Sequence, residues 1–351
     1  LALAKLVSSY NFNLKEKKTR INLFIVLLVP VILILLQHDV GSALVYFVFL
    51  FPLFREGLSG LILFFLFIIA ALFVMTLVLH PAVLVLVLVV LSFLAYYLIR
   101  RNWNEILTGA LIFVGSTILV GIFYMIFKEW PIDFYYILLR SSLFSALVIL
   151  CISIYRRIPQ APLVSAIFLI SMVTSFTVDF VFDNLLKQHH RDRINNLLGI
   201  ESDLLGAGWN VHQSKIAIGS GGFWGKGFLH GTQTKYNFVP EQSTDFIFCT
   251  VGEEWGFVGT TILVLGFVWL LYRIIKLSER QKSTYSRVYG YCVASIIFFH
   301  FAINIGMTIG LVPVIGIPLP FFSYGGSSLW FFTILLFVLL SLDKSRFEQL
   351  H

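Results

Sequence analysis

The sequence predicts an all-α polytopic membrane protein. Of its 351 residues, 58% are hydrophobic and only 12% are charged, so most of the chain cannot face water. Apolar runs of roughly 20 residues, the helical length that crosses a bilayer of about 30 Å, recur along nearly the whole chain. These runs are predicted to be helices, because an open sheet would leave unpaired amides in lipid.

About ten membrane-spanning helices are predicted, together with the tail of another at residues 1–10. The predicted spans are 21–37, 40–54, 58–79, 81–99, 105–127, 134–155, 161–182, 246–272, 287–311 and 327–342. The chain opens "LALAKL", without Met or a signal-peptide pattern, so we expect an N-terminal truncation. No solenoid repeat or soluble segment is evident, and residues 1–351 are predicted to form a single membrane domain.

The distribution of basic residues predicts the topology. A net charge of +7 could suit nucleic acid, but Lys and Arg gather in alternate short loops, as they do on the cytoplasmic side of membrane proteins. The expected partner is therefore the membrane and no nucleic acid. The predicted cytoplasmic groups are Lys15/Lys17/Lys18/Arg20, Arg55, Arg100/Arg101, Arg156/Arg157, Arg273/Lys276/Arg280/Lys282/Arg287 and Lys344/Arg346.

The predicted outer face carries an extracytoplasmic loop, residues 183–245, which is far longer than an ordinary connection. Its short apolar stretches suggest that it folds against the membrane surface and lines a cavity. The run "GSGGFWGKG" lacks the spacing of a nucleotide-binding Walker loop, and tight turns explain its glycines. His189, His190 and Asp192 have no second ligand pair at a recognisable spacing, so no metal site is predicted.

Four carboxylates surround the start of the eighth predicted span. Asp245 follows Glu241 by four residues, so both share one face if the helix begins early. Either Thr244 or Asp245 caps this helix, or Asp245 has a function in the cavity. Glu253 and Glu254 lie two turns deeper, where an ionised acid costs at least about 2.5 to 3.5 kcal/mol unless it faces protein or water. These two glutamates are therefore predicted to be structural or cavity-lining.

Two further polar breaks fall on the same predicted face. Asp39 in "QHDVGSAL" is expected to cap the following helix, and "VPVIGIPLPFFSYGGSS" at 312–328, which contains Ser323, is expected to be re-entrant or broken. Both breaks and the long loop thus meet at one leaflet. The basic residues of that loop, Arg191, Arg193 and Lys215, suit an anionic, lipid-linked substrate.

The same segments resemble a known family. "LGAGWNVHQSKIAIGSGGFWGKGFLHGTQTKYNFVPEQSTDFIF", "QHDVGSAL" and "NIGMTIGLVPVIGIPLPFFSYGGSS" are similar to the SEDS family (shape, elongation, division and sporulation). The "HGTQ" variant resembles the rod-shape, RodA-like branch of that family. The resemblance covers the tail of one helix, residues 21–54 and about 190–345.

The resemblance implies a peptidoglycan glycosyltransferase on the outer face of the bacterial inner membrane. Such an enzyme polymerises lipid II, an undecaprenyl-pyrophosphate-linked disaccharide pentapeptide, with a class B penicillin-binding protein as its partner. The family's essential acid falls on Asp245, which would act as general base. A divalent cation is left open as an aid to the leaving pyrophosphate. The residues expected to bind substrate or line the site are Lys215, Arg191, Arg193, Glu241, Gln213, Ser214, Thr244, His230 and Gln233.

The chain departs from the family pattern in two places. Residues 58–155 are expected to be four extra helices, and the upstream "SExxK" segment is absent. Two other functions also suit a multi-span protein with broken helices and cavity-facing charges. One is a lipid II flippase, and the other is a non-catalytic scaffold of the cell-wall elongation complex. Polymerisation of lipid II in detergent would distinguish the enzyme from both.

Overall fold

A computed structural model describes residues 1–9, 12, 16–37, 39–127, 134–184, 191, 194–195, 208–236 and 238–345. Within these ranges the chain forms helices and turns without any strand. The helices are α1 (Ala2–Val7), α2 (Lys17–Leu36), α3 (Val40–Val45), α4 (Leu50–Arg55), α5 (Gly60–Val78), α6 (Pro81–Arg100), α7 (Trp103–Phe127), α8 (Phe134–Tyr155), α9 (Ala161–Asn184), α10 (Trp209–Ser220), α11 (Thr232–Lys235), α12 (Ile247–Glu279), α13 (Thr284–Thr308) and α14 (Gly326–Ser345).

Nine helices in the described part of the chain are long and apolar enough to cross a membrane: α2, α5 to α9, and α12 to α14. The predicted all-α polytopic membrane fold is confirmed. The second predicted span differs, because α3 and α4 are joined by a 3-10 turn at Tyr46–Phe49 and form an apolar segment of only residues 41–55. A helix of that length rises roughly 22 Å, less than the hydrocarbon thickness. The eighth predicted span, 246–272, extends as α12 to Glu279.

The chain divides into two compact units, residues 1–63 with 192–351, and residues 64–191. In the first unit, α13 is the most buried helix, with Val288, Val293 and Ile297 fully enclosed. Helices α1, α12 and α14 pack around it.

Ion pairs gather the basic loops at one end of the first unit. Arg55 contacts Glu279 at 3.0 Å, and Arg287 contacts Glu56 at 3.0 Å. A third pair, between Arg280 and Asp343, joins the end of α12 to the end of α14. Exposed pairs contribute little stability, about 0 to 1 kcal/mol each, so their main effect is to align these loops. The loops they align are among those predicted to be cytoplasmic.

The second unit has its own apolar core, in which Leu88, Leu138 and Met172 are buried. Hydroxyl groups cross between its helices: Ser116 Oγ on α7 donates to the carbonyl of Ser141 on α8 at 3.1 Å. Small hydroxyl residues at such contacts let helices approach closely inside a membrane. This unit overlaps residues 58–155, whose status as additional helices relative to the family stays a prediction.

Cysteine labelling tests the predicted topology. In a Cys151→Ser background, because Cys151 is the exposed native cysteine of the described residues, single cysteines are placed at Tyr236 and Lys282. Both side chains are exposed, so accessibility depends on the side of the membrane. We expect an impermeant maleimide to label Tyr236→Cys in intact spheroplasts and Lys282→Cys only after lysis. The reverse pattern would place the long loop in the cytoplasm.

Candidate functional site

The connection between α13 and α14, residues 309–325, holds the turn that precedes α12. Ser323 Oγ donates to the carbonyl of Thr244 at 2.6 Å and accepts from the amide of Leu319 at 2.7 Å. The amide of Tyr324 donates to the carbonyl of Ser243 at 2.8 Å. These bonds satisfy backbone groups that could not find water inside a membrane protein, and they fix the backbone on which Asp245 lies.

Asn304 on α13 completes this attachment. Its side chain is fully buried, and its Nδ2 donates to the carbonyls of Asp245 and Ile317, each at 2.8 Å. Asn304 was not among the residues predicted from the sequence. Its signal was the single amide side chain of a predicted span, since polar residues in spans usually have a structural or functional partner.

The second polar break meets the same connection. A Cβ added to Gly41 would lie 2.9 Å from the carbonyl oxygen of Ile315, so only glycine permits this approach. Next to it, Asp39 caps α3, accepting from the amide of Ser42 at 3.0 Å. The structure therefore brings "QHDVGSAL" and "VPVIGIPLP" together.

Part of the predicted loop is a helix, α10, which carries three predicted site residues. Ser214 is buried and its Oγ donates to the carbonyl of Thr308 at 2.9 Å, while Gln213 beside it is also buried. Lys215 is exposed and lies across Gly310, where an added Cβ would be only 2.4 Å from the lysine Nζ. Helix α10 thus fixes the ammonium group beside the 309–325 connection.

Asp245 does not cap the helix that follows it. Helix α12 begins after Phe246 with no side-chain cap, so the alternative in which Thr244 or Asp245 caps the helix is wrong. The Asp245 carboxylate is half-buried, accepts no hydrogen bond from the described residues, and lies beside Gly316, where a Cβ would be 3.3 Å from Oδ2. Burial raises the pKa of Asp245 above its usual value, and the negative charge of Glu241 raises it further.

Glu241 lies in a turn and not on the helix. Because α12 begins at Ile247, the expectation that Glu241 and Asp245 share a helix face is wrong. Glu241 adopts a left-handed backbone with φ of 53°, which is uncommon for residues other than glycine. Thr244 Oγ1 donates to its Oε2 at 2.9 Å. Strained backbone of this kind concentrates at functional sites.

Glu253, unlike Asp245, accepts hydrogen bonds on both of its carboxylate oxygens. It is fully buried and accepts from Lys226 Nζ at 2.7 Å, the amide of Gln233 at 2.9 Å, and both the amide and Oγ1 of Thr234 at 2.9 Å. Every side of this carboxylate is compensated, as a buried charge requires. Glu253 therefore anchors α11 and the glycine-rich loop of residues 221–227. Neither of its oxygens is free to bind a substrate.

Helix α12 is broken at Gly256, whose φ of 62° and ψ of −157° are not helical. The break frees backbone groups on both sides, and the glycine-rich loop, residues 221–227, satisfies them. Four backbone hydrogen bonds join the loop to the helix. After the break, the amide of Phe257 donates to the carbonyl of Gly222 at 2.9 Å, and that of Val258 to the carbonyl of Phe223 at 3.2 Å. Before the break, the carbonyl of Glu253 accepts from the amide of Lys226, and that of Glu254 from the amide of Gly227, each at 3.0 Å.

Two glycines of this loop, Gly221 and Gly225, are required by close backbone approach and not only by tight turns. A Cβ on Gly221 would lie 2.0 Å from the carbonyl oxygen of Gly252, and one on Gly225 would lie 2.1 Å from that of Glu254. A Cβ on Gly256 itself would lie 2.3 Å from the amide of Gly225. No side chain fits between these backbones.

The remaining predicted residues lie in different places. His230 is exposed and its Nδ1 bonds the carbonyl of Phe228 at 2.8 Å, and Glu254 is buried. Arg191 belongs to the second compact unit. Arg193 lies outside the described residues, as do His189, His190 and Asp192. Among the residues that are described, no group of three His, Cys, Asp or Glu side chains could hold a metal.

Two glycines of one motif provide a matched test of the close approach. Gly225→Ala should lower the stability by at least about 2 kcal/mol, because it adds the clash with Glu254 to an unfavourable left-handed backbone. Gly219→Ala is the control, because an added Cβ at Gly219 meets nothing within 4 Å. Melting temperatures in detergent should fall for the first variant only. Equal melting temperatures would mean that the loop does not pack into the helix break.

The sequence matches a family model described as a cell cycle protein, FTSW_RODA_SPOVE, over residues 80–348. Peptidoglycan glycosyltransferase MrdB of Escherichia coli K12 is 48% identical over 145 residues, which are 41% of this chain and 39% of the relative. Peptidoglycan glycosyltransferase RodA of Treponema pallidum is 42% identical over 162 residues, 46% of this chain and 37% of the relative. The chain thus spans about two fifths of the length of these curated relatives.

A solved structure described as "Structural coordination of polymerization and crosslinking by a peptidoglycan synthase complex" aligns with 80% of this chain and 97% of its own, at 22% identity. Its TM-score of 0.38 is too low to bear on fold or function. The family match rests on sequence alone and includes the turn of Asp245, α12, α13 and the 309–325 connection. Because this match covers well over half of the sequence, the chain belongs to the FtsW/RodA/SpoVE family of cell cycle proteins.

Proposed function

We propose that this protein is a peptidoglycan glycosyltransferase that polymerises lipid II into β-1,4-linked glycan strands for cell elongation and shape. The observation that carries the proposal is the condition of Asp245. Its backbone is fixed by Asn304 and lies next to a carbonyl held by Ser323, while its carboxylate accepts no hydrogen bond from the described residues. A rigidly positioned carboxylate with open acceptor sites suits proton transfer better than a structural role. The names of the relatives support the same activity.

In the proposed reaction, Asp245 acts as the general base. A sugar hydroxyl of one chain attacks the anomeric carbon of a lipid-linked donor, and its proton moves to the Asp245 carboxylate. The new carbon–oxygen bond replaces the bond to the pyrophosphate, which leaves with its lipid. Attack from the opposite face of an α-linked donor gives the β linkage. The raised pKa of Asp245 makes the carboxylate a stronger base than an ordinary aspartate.

Lys215 is proposed to stabilise the leaving group. Its exposed ammonium lies beside Gly310, at one end of the 309–316 stretch, and Asp245 lies beside Gly316 at the other. A cation at this place would offset the negative charge that develops on the pyrophosphate. Ser214 and Gln213, which precede Lys215 on α10, are buried, so their role in this proposal is to fix α10.

The setting of the reaction is also part of the proposal. The distribution of basic loops supports an active site on the outer face of the inner membrane, where a lipid-linked disaccharide would be polymerised. A class B penicillin-binding protein is the proposed partner, which would cross-link the strands as they form.

The substitution Asp245→Asn tests the proposed function. Since the pKa of Asp245 is raised in the folded protein, its ionised form is disfavoured by folding at neutral pH, and the amide should leave the melting temperature unchanged or higher. The amide cannot accept the hydroxyl proton, so polymerisation of lipid II should fall about 100- to 10,000-fold. The full-length protein with its partner is assayed for glycan chains, alongside a thermal melt.

The control for Asp245→Asn is Glu16→Gln, an exposed carboxylate that precedes α2. It should polymerise lipid II at the parental rate. If Asp245→Asn remains within a few-fold of the parent, Asp245 is not a general base. A lipid II flippase or a scaffold without activity would then describe the protein better.

The pH dependence of the reaction should respond to Glu241. Activity should fall as the pH drops through the raised pKa of Asp245, because only the ionised carboxylate accepts a proton. Glu241→Gln removes the negative charge that contributes to this shift, so the acidic limb of the kcat/KM profile should move to lower pH. An unchanged limb would show that another group controls it.

A further inference from the structure

The second compact unit contains a cavity of about 170 Å³ that the proposed reaction does not use. Helices α6, α7, α8 and α9 surround it, and all of its lining residues belong to this unit. Its size compares with an engineered protein cavity of ~150 Å³ that accommodates benzene. The space therefore suits a segment of one hydrocarbon chain and is too small for a bulky ring system.

The two ends of the cavity differ in chemistry. Its inner part is lined by apolar side chains, including Val89, Phe113 and Phe168. Its other part is lined by residues near the helix ends that meet the 100–103 and 155–161 loops, among them Tyr96 and Glu105. The cavity is thus apolar within the bundle and polar towards one set of loops, which is the pattern of a site for an amphiphile.

Two serine side chains line the cavity without a hydrogen bond to the described residues. Ser153 on α8 is 2% exposed and Ser165 on α9 is 8% exposed. Neither hydroxyl makes a hydrogen bond to the described residues, whereas other buried serines of α8, such as Ser142, bond a backbone carbonyl of their own helix. Their hydroxyl groups are therefore open to donate to, or accept from, a polar ligand group in the cavity.

A positive charge lies at the same end. Arg156, one turn after Ser153, lines the cavity, and its guanidinium contacts no partner within the described residues. Glu105 is already engaged by Arg100 at 3.1 Å and by the hydroxyl of Tyr96. With Arg101 in the adjoining loop, this end carries an excess of positive charge. Arginine in such a setting binds phosphate well.

We propose that this cavity binds an anionic phospholipid, with one acyl chain among α6 to α9 and its phosphate against Arg156, Ser153 and Ser165. In a volume of about 170 Å³, a segment of an unbranched chain fits better than the bulkier methyl-branched polyprenyl chain. The arginine-rich loops are also those predicted to face the cytoplasm, where anionic phospholipids attract basic residues. Its lining residues and Asp245 belong to different compact units, and the proposal does not depend on the proposed polymerase activity.

Titration of the purified full chain with phosphatidylglycerol, followed by native mass spectrometry, tests the proposal. Arg156→Gln should weaken binding about tenfold or more, because it removes the charge-assisted contact to phosphate. The matched control is Arg157→Gln, which removes the same charge from the neighbouring residue that does not line the cavity, and it should bind as the parent does. Phosphatidylcholine should bind the parent more weakly than phosphatidylglycerol.

The acyl-chain part of the site has its own test. Ser165→Leu places an apolar side chain in the cavity and should abolish binding while a thermal melt shows that the variant is folded. A photoactivatable acyl chain on phosphatidylglycerol should cross-link to α6–α9.

Equal binding by Arg156→Gln and Arg157→Gln, or cross-links outside these helices, would overturn the proposal. Stronger binding of undecaprenyl phosphate than of phosphatidylglycerol at this site would overturn the assignment to a phospholipid. Because Arg156 is exposed, its variant decides the matter even if Ser165→Leu does not fold.

Discussion

The close backbone contact between the glycine-rich loop and the break in α12 is the constraint on which the first unit depends. A helix broken inside a membrane leaves amides and carbonyls that water cannot satisfy. At Gly256 these groups are satisfied by the 221–227 backbone, and the contact is possible only because Gly221, Gly225 and Gly256 have no side chains. From this contact follow the position of Lys226, its ion pair with Glu253, and the attachment of α11.

Two carboxylates of this region, Glu253 and Asp245, differ in the number of hydrogen-bond donors around them, and we assign them different roles for that reason. Glu253 is surrounded by donors, so its charge is stabilised where it is and its oxygens are occupied. Asp245, eight residues earlier, has a firmly held backbone and a carboxylate without donors from the described residues. A group that is positioned but not satisfied is available to a substrate. The energetic cost of leaving it so is visible in the direction of its pKa.

The hydroxyl groups of the second unit also differ in whether they have a hydrogen-bond partner. Most of its buried hydroxyls are satisfied by carbonyls of their own helix or of a neighbouring one, as at Ser116 and Ser142. Ser153 and Ser165 are exceptions, and they lie at the cavity with the free guanidinium of Arg156. At this cavity a ligand would contribute interactions that the described residues do not supply.

The sequence by itself determined the membrane fold, most of the spans and the segments that form the candidate site. Long apolar runs leave a chain no alternative to helices in lipid, and polar breaks within them are costly enough to mark a function. Only the tertiary structure decided that α12 is uncapped, that the Glu253 carboxylate accepts hydrogen bonds while that of Asp245 does not, and that Asn304 joins the backbone of Asp245 to the 309–325 connection. The last of these depends on residues as far apart in the chain as Asn304 and Asp245, which are separated by 59 positions. Local sequence patterns carry no record of which distant donor reaches which acceptor, because that is fixed by packing of the whole helix bundle.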